Sequence, residues 1–136
     1  VKAVIKDIAQ DAKFLESLDI KSVAIMSNDV KNYPEDSFDN MQKFSSKYNF
    51  DFPYLFDNTQ EIAKKYSAVC TPDFFGFNNK LKLHYRGRID SGVMNRNDNN
   101  IKRELFYAME TISRTGIGPS KQYNSFGCSI KWKKDE

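Results

Sequence analysis

The stretch Val69–Arg88, VCTPDFFGFNNKLKLHYRGR, carries most of the fold information in this sequence. After Pro72, the run DFFGF predicts a buried strand, and Asn78-Asn79 predicts a turn because Asn tolerates a positive φ. The next run, KLKLHYRGR, alternates apolar and polar residues, with the apolar set (Leu81, Leu83 and Tyr85) expected to face inward. We therefore predict an antiparallel hairpin whose second strand is solvated on one side.

The rest of the chain alternates helical and strand patterns. The predicted order is helix (1–18), strand (23–26, buried on both faces), helix (38–49), strand (52–57), helix (60–68), strand (74–77), strand (81–86) and helix (101–115). Ser37 or Asp36 is expected to cap the second helix, and Asn58 with Glu61 resembles a capping box for the third. This order predicts an α/β layered domain over 1–116, followed by a tail, 117–136, that lies on the domain and is pinned by Phe126 or Trp132.

Composition and charge exclude several classes of protein. At 136 residues the chain is expected to form one domain. The net charge of +3 comes from Lys and Arg scattered among acidic residues, so it shows no nucleic-acid footprint. No run of 18 apolar residues is present, so no membrane span is predicted. Two distant cysteines and one His suit neither a disulfide framework nor a zinc site, and we expect no metal.

The chain opens inside a helical pattern. Apolar residues recur at helical spacing from Val1, yet no Ser, Thr, Asp or Asn precedes them as a cap. We therefore expect the sequence to begin inside or at the very start of a helix, with further structure upstream. A first helix that buries one face is expected to follow a strand that helps to define that face.

Several segments together resemble one known family. They are VKAVIKDIA, SNDVKNYPEDSFDNM, FPYLFDNTQEIAKKY, VCTPDFFGF, YRGR and the tail GCSIKWK. They look like the peroxiredoxin-like branch of the alkyl hydroperoxide reductase/thiol-specific antioxidant (redoxin) family, within the thioredoxin superfamily. The resemblance implies a thioredoxin-like fold, a three-layer α/β/α sandwich with a mixed sheet, here lacking its first core strand. That strand would lie between 23–26 and 74–77, so those two strands are expected not to pair directly.

The resemblance also implies where the chemistry lies. The family's CxxC motif sits immediately before the segment that matches Val1, so no catalytic cysteine is carried over to this chain. Cys70, Thr71 and Pro72 correspond to a wall of the active site, and the Thr71–Pro72 bond is expected to be cis. Cys70 itself is read either as a thiol close to that site or as a small buried residue. Cys128 is read either as a resolving thiol or as a tail residue packed on the domain.

The implied function is that of a thiol-dependent oxidoreductase or peroxiredoxin-like antioxidant protein, acting through the upstream CxxC motif. Its substrate would be a peroxide or a protein disulfide, its reductant a thiol protein such as a thioredoxin, and it would need no cofactor. The 136-residue chain alone is expected to be inactive. The alternative is a non-catalytic thioredoxin-fold module that binds a partner chain in the groove beside Pro72. A cytoplasmic location is expected for a cysteine-poor chain, with an upstream signal left open.

Overall fold

Helices and short strands alternate along the computed structural model, which describes residues 1–134. They are α1 Ile5–Ser17, β1 Ala24–Met26, α2 Phe38–Lys47, β2 Tyr54–Phe56, α3 Glu61–Lys65, β3 Cys70–Thr71, β4 Phe74–Phe77, β5 Leu83–Gly87, α4 Glu104–Thr115 and β6 Cys128–Ser129. The predicted order is confirmed. Two short strands, β3 and β6, were not predicted, because two residues carry no periodic signal.

The strands form three two-stranded sheets. β1 and β2 are parallel, whereas β3 with β6 and β4 with β5 are antiparallel. This mixed α/β arrangement is that of the thioredoxin-like fold. Within residues 1–134, β1 and β4 belong to different sheets, in agreement with the prediction that they do not pair directly.

The predicted hairpin is confirmed, with one correction at its turn. The Asn78 side chain accepts hydrogen bonds from the N–H groups of Lys80 and Lys82, which closes a longer turn than two residues. Leu81 has a φ of 59° and is 83% exposed, and Leu83 is 49% exposed, so the prediction that these two residues face inward is wrong. Of the predicted apolar face, Tyr85 is buried. Leu81 lies inside the turn rather than in β5, which places it outside the strand's alternation.

Tyr85 lies at the centre of the core that α1, α4 and the hairpin enclose. Its side chain is 2% exposed, and its hydroxyl donates to the carbonyl oxygen of Arg88 at 2.5 Å. The other buried members of this cluster are Leu15, Ala108, Met109 and Ile112. Gly76 lets α4 approach β4, since a Cβ there would lie 2.3 Å from the Met109 sulfur.

The helix starts agree with the sequence patterns only in part. Ser37 caps α2 by accepting from the Asn40 N–H, as predicted. α1 begins at Ile5, after a turn, rather than at Val1. Asn58 does not cap α3; the buried carboxylate of Asp57 does so instead.

One face of the β1–β2 pair is open, so the prediction that β1 is buried on both faces is wrong. The register partners Ile25 and Leu55 are 43% and 50% exposed. On the other face Met26 is buried, and α2 packs against β2, with the Phe44 and Tyr54 rings 6.4 Å apart. A continuous apolar run therefore does not ensure burial on both sides, because burial depends on what covers each face.

Candidate functional site

The site wall, which we define as Cys70, Thr71 and Pro72, lies where β3 ends and the chain turns into β4. The Thr71–Pro72 peptide bond is cis, as predicted. Successive side chains of a strand point to opposite faces. Cys70 accordingly lies in the interior, while Thr71 is partly exposed on the opposite face.

Asp73 stabilises the site wall through contacts with neighbouring segments. Its buried carboxylate accepts a hydrogen bond from the N–H of Val69 at 3.3 Å and another from the hydroxyl of Ser125 at 2.5 Å. The guanidinium of Arg86 lies 3.8 Å away. Sequence reasoning missed this residue, although a lone carboxylate beside an apolar strand is a usable signal, since buried charges are generally paired.

Cys70 has the surroundings of an unreactive thiol. Its Sγ donates to the carbonyl oxygen of Pro72, at 3.8 Å. Burial raises the pKa of the Cys70 thiol and the charge of Asp73 raises it further, while Arg86 opposes them. Because the thiolate is the nucleophile, Cys70 has the properties of a small buried residue beside the wall.

Cys128 lies opposite the wall on β6. The register pairs Thr71 with Cys128 and Cys70 with Ser129. Since directly opposite residues share a face, the two cysteines point to opposite faces of the β3–β6 pair. Both are free thiols, Cys70 buried and Cys128 exposed.

The tail reaches β6 by first covering the outer edge of β5. The amide of Gln122 accepts from the N–H of Arg86 and donates to the carbonyl of His84, so a side chain pairs with the strand. His84 also contacts the tail, since its Nδ1 accepts from the N–H of Gly118 at 3.2 Å. The tail thereby satisfies the exposed polar groups of an edge strand.

The last part of the tail is fastened near the end of β1. Gln60 donates from its side-chain amide to the carbonyls of Ser27 and Lys131, and it accepts from the N–H of Lys133. Ile130 is 5% exposed, whereas Phe126 is 54% exposed and Trp132 is also exposed. Ile130 and Gln60 thus hold this part of the tail, and Trp132 adds a contact with α3, where Lys64 Nζ lies 5.9 Å from its ring centroid.

The arginines near the hairpin end serve structural contacts. Arg88 donates twice to Glu104, at 2.6 and 2.9 Å, and its guanidinium lies 4.3 Å from the Tyr123 ring centroid. Arg86 donates to the carbonyl of Ser67 at 2.5 Å. Each guanidinium thus has protein partners.

In residues 1–134, no group of three or more His, Cys, Asp or Glu side chains could hold a metal ion. No helix in that range is both long and apolar enough to cross a membrane.

The fold and the position of the wall define a protein of the thioredoxin superfamily's redoxin class. A comparison with family models matches residues 1–88 to the AhpC/TSA family. This chain belongs to the AhpC/TSA family. The match includes the whole site wall and ends before α4 and the tail.

Two solved structures resemble this chain over nearly its full length. One is an uncharacterized conserved protein from Geobacillus kaustophilus, 41% identical, with a TM-score of 0.88 over 100% of this chain and 72% of that one. The other is a hypothetical protein from Sinorhizobium meliloti 1021, 31% identical, with a TM-score of 0.87 over 97% of this chain and 72% of that one. No curated protein matched the chain. Family membership thus supports a thioredoxin-fold, peroxiredoxin-like role, while the names of the two similar proteins state no activity.

Proposed function

We propose that this chain serves a thiol-dependent oxidoreductase or peroxidase-like antioxidant reaction. The reactive thiols would belong to a CxxC motif N-terminal to Val1, and Cys70, Thr71 and Pro72 would form the facing wall. The observation that carries the proposal is the family match over residues 1–88, which contains the wall. The chain's own two cysteines are too far apart in sequence to form such a motif.

The proposed reaction has two thiol steps. A thiolate attacks a peroxide, giving a sulfenic acid and releasing an alcohol or water. A second thiol then condenses with the sulfenic acid, forming a disulfide and releasing water. A dithiol reductant, such as a thioredoxin, restores both thiols and is itself oxidised to a disulfide. With a protein disulfide as substrate, the same thiolate forms a mixed disulfide that the second thiol resolves.

The surroundings of Cys70 favour a structural role for this residue over a nucleophilic one. Burial and the nearby Asp73 keep the Cys70 pKa above its ordinary value. A nucleophilic cysteine needs the opposite, a thiolate stabilised by positive charge or by a helix N-terminus. A motif that ends just before Val1 would lie on the N-terminal side of α1, with residues 1–4 between it and the first residue of that helix, Ile5.

A turnover experiment tests this proposal. The purified 136-residue chain should consume peroxide with a thioredoxin system no faster than free thiols do. The protein extended by its natural upstream sequence should turn over, Cys70→Ser should retain most of that activity, and serine at either motif cysteine should lose it. Turnover by the 136-residue chain that survives Cys70→Ser combined with Cys128→Ser would refute the scheme.

The alternative, a module that binds a partner chain beside Pro72, is favoured by one observation. The backbone of β3 is paired antiparallel with an extended segment, the tail strand β6. This edge therefore accepts an extended chain in that orientation. An upstream sequence without a pair of cysteines would favour this second function.

A further inference from the structure

The polar edge of β3 is occupied by the protein's own tail. The N–H of Ile130 donates to the carbonyl of Val69 at 3.3 Å, and the Thr71 hydroxyl donates to the carbonyl of Cys128 at 3.4 Å. A strand edge that is already paired is not open to another segment. Any partner that pairs with the site wall has to displace this part of the tail.

The covering segment is held by its two ends. On one side, the Ser125 hydroxyl bonds to Asp73 and to the carbonyl of Gly87. On the other side, Ile130 is buried and Lys131 is held through both its N–H and its carbonyl group. The buried side chain and the hydrogen bonds that hold the covering segment therefore lie at its two ends.

Between these ends, residues 126–129, which we call the strap, have few contacts of their own. All four are exposed, and only two of them form β6. Local opening costs least free energy where little apolar surface is buried and where backbone hydrogen bonds are exposed to solvent. The strap fits that description, and its neighbours on either side do not.

Gly127 sets how closely the strap lies on the wall. A Cβ at this position would lie 2.0 Å from the carbonyl oxygen of Thr71, a backbone atom that has no side-chain freedom to move away. Any side chain at 127 would therefore force the strap off β3. A partner segment paired in the same register also needs glycine opposite this carbonyl.

We propose that the strap is an autoinhibitory cover: it closes the β3 edge, and it lifts before an extended polypeptide segment with glycine at the position of Gly127 pairs with the wall. This inference rests on the proposed function, since it concerns access to the same wall. It adds a form of regulation to that site, because closure of the strap competes with binding of the partner segment. The competition lowers the apparent affinity for a partner by the fraction of time that the strap is open.

The first test compares two alanine variants of the full chain. Gly127→Ala should lift the strap, whereas Gly118→Ala places a Cβ 1.9 Å from the carbonyl of His84, an equally close contact on β5. The probe is a labelled synthetic peptide with the sequence of residues 124–134 carrying Cys128→Ser. Gly127→Ala should bind it about tenfold more tightly than the wild type, since overpacking of this kind weakens only the competing strap. Gly118→Ala should match the wild type.

The second test locks the strap with a disulfide that needs only a small local adjustment. Ser129→Cys combined with Cys128→Ser places a thiol directly opposite Cys70 in the register. The oxidised form should bind no peptide, and reduction of the same sample should restore wild-type affinity. This arm does not depend on how well the Gly127→Ala variant folds.

Hydrogen exchange shows whether the strap moves alone. In Gly127→Ala, the amides of residues 127–129 should exchange faster, while those in α4 should keep their protection. Equal peptide affinity in the locked and reduced forms would overturn the inference, as would unchanged exchange in a folded Gly127→Ala variant. None of these readouts needs turnover or an upstream motif. The strap inference can therefore fail while the redox proposal stands, and the redox proposal can fail while the strap inference stands.

Discussion

The register of β3 on β6 makes a sharp prediction about which cysteine pairs can be joined. Cys70 faces Ser129, and Cys128 faces Thr71. Oxidation of the wild-type chain should therefore leave Cys70 and Cys128 unjoined, because their side chains point to opposite faces and a disulfide requires converging Cβ atoms. Moving the cysteine by one position, with Ser129→Cys and Cys128→Ser, should permit the bond.

The expected gain in stability follows from the length of the closed loop. A bond between positions 70 and 129 closes about 60 residues, and loop-entropy arguments assign such a loop about 4 kcal/mol at most. Cβ atoms of directly opposite strand residues are about 4.5–5.5 Å apart, against about 3.8 Å in a disulfide, so a small local adjustment is needed and lowers this value. Ser129 is exposed, so its replacement should cost little by itself.

The assay counts thiols after mild oxidation with diamide and unfolding in guanidinium. The wild-type monomer should retain two thiols, and the shifted variant should retain none and lose about 2 Da in mass, the two hydrogens that disulfide formation removes. Guanidinium unfolding with and without reductant then gives the stability difference. Cys128→Ser alone is the control and should retain one thiol. A Cys70–Cys128 disulfide that forms readily in folded wild-type protein would refute the observed register.

Three further predictions concern single residues. Asp57→Ala should cost about 2 kcal/mol of unfolding free energy, because the N–H groups of Ile62 and Ala63 lose their acceptor. Desolvation raises the pKa of Asp57, but hydrogen bonds from Ala63, Ser27 and Ile62 outweigh it and hold that pKa below its ordinary value. The ionised carboxylate therefore stabilises the fold above about pH 4, and the gap between wild type and Asp57→Asn should shrink as pH falls through the lowered pKa; a gap that widens there would contradict the assignment. Iodoacetamide at pH 8 should modify exposed Cys128 at least about tenfold faster than buried Cys70, as peptide mapping by mass spectrometry would show; faster labelling of Cys70 would contradict its burial. Arg88→Lys should lower the unfolding free energy by about 1 kcal/mol, because lysine replaces neither the paired hydrogen bonds to Glu104 nor the stacking on Tyr123, whereas Arg114→Lys on exposed α4 surface should change it little.

The local patterns predicted those features that depend on neighbouring residues. The hairpin follows from apolar alternation around Asn78-Asn79, and the start of α2 follows from Ser37, because strand alternation and helix capping act over a few residues. The end of α4 follows from Gly116, which has the positive φ expected at a helix end. The cis Thr71–Pro72 bond was predicted from the family resemblance.

Long-range partners escaped the sequence patterns. Nothing near Gln60 indicates that its amide bridges the end of β1 and the tail, 71 residues further along the chain. Asp57 and Asn58 are both plausible capping residues by type, and only the path of the backbone decided for Asp57. The tail was expected to be held by its large aromatic residues, yet Ile130 supplies the buried contact.

The sequence by itself thus determined the order of elements and the redoxin family, since local periodicity encodes the first and short segments encode the second. Only the tertiary structure decided that Cys70 and Cys128 point apart, that Asp73 supports the wall and that the tail covers it. The physical reason is that the cysteine orientation and the tail cover depend on the register of β3 against β6, and the support from Asp73 depends on contacts with Ser125 and Arg86, which are distant in sequence. Two residues of strand encode no register of their own, and contacts at both ends of the strap set it.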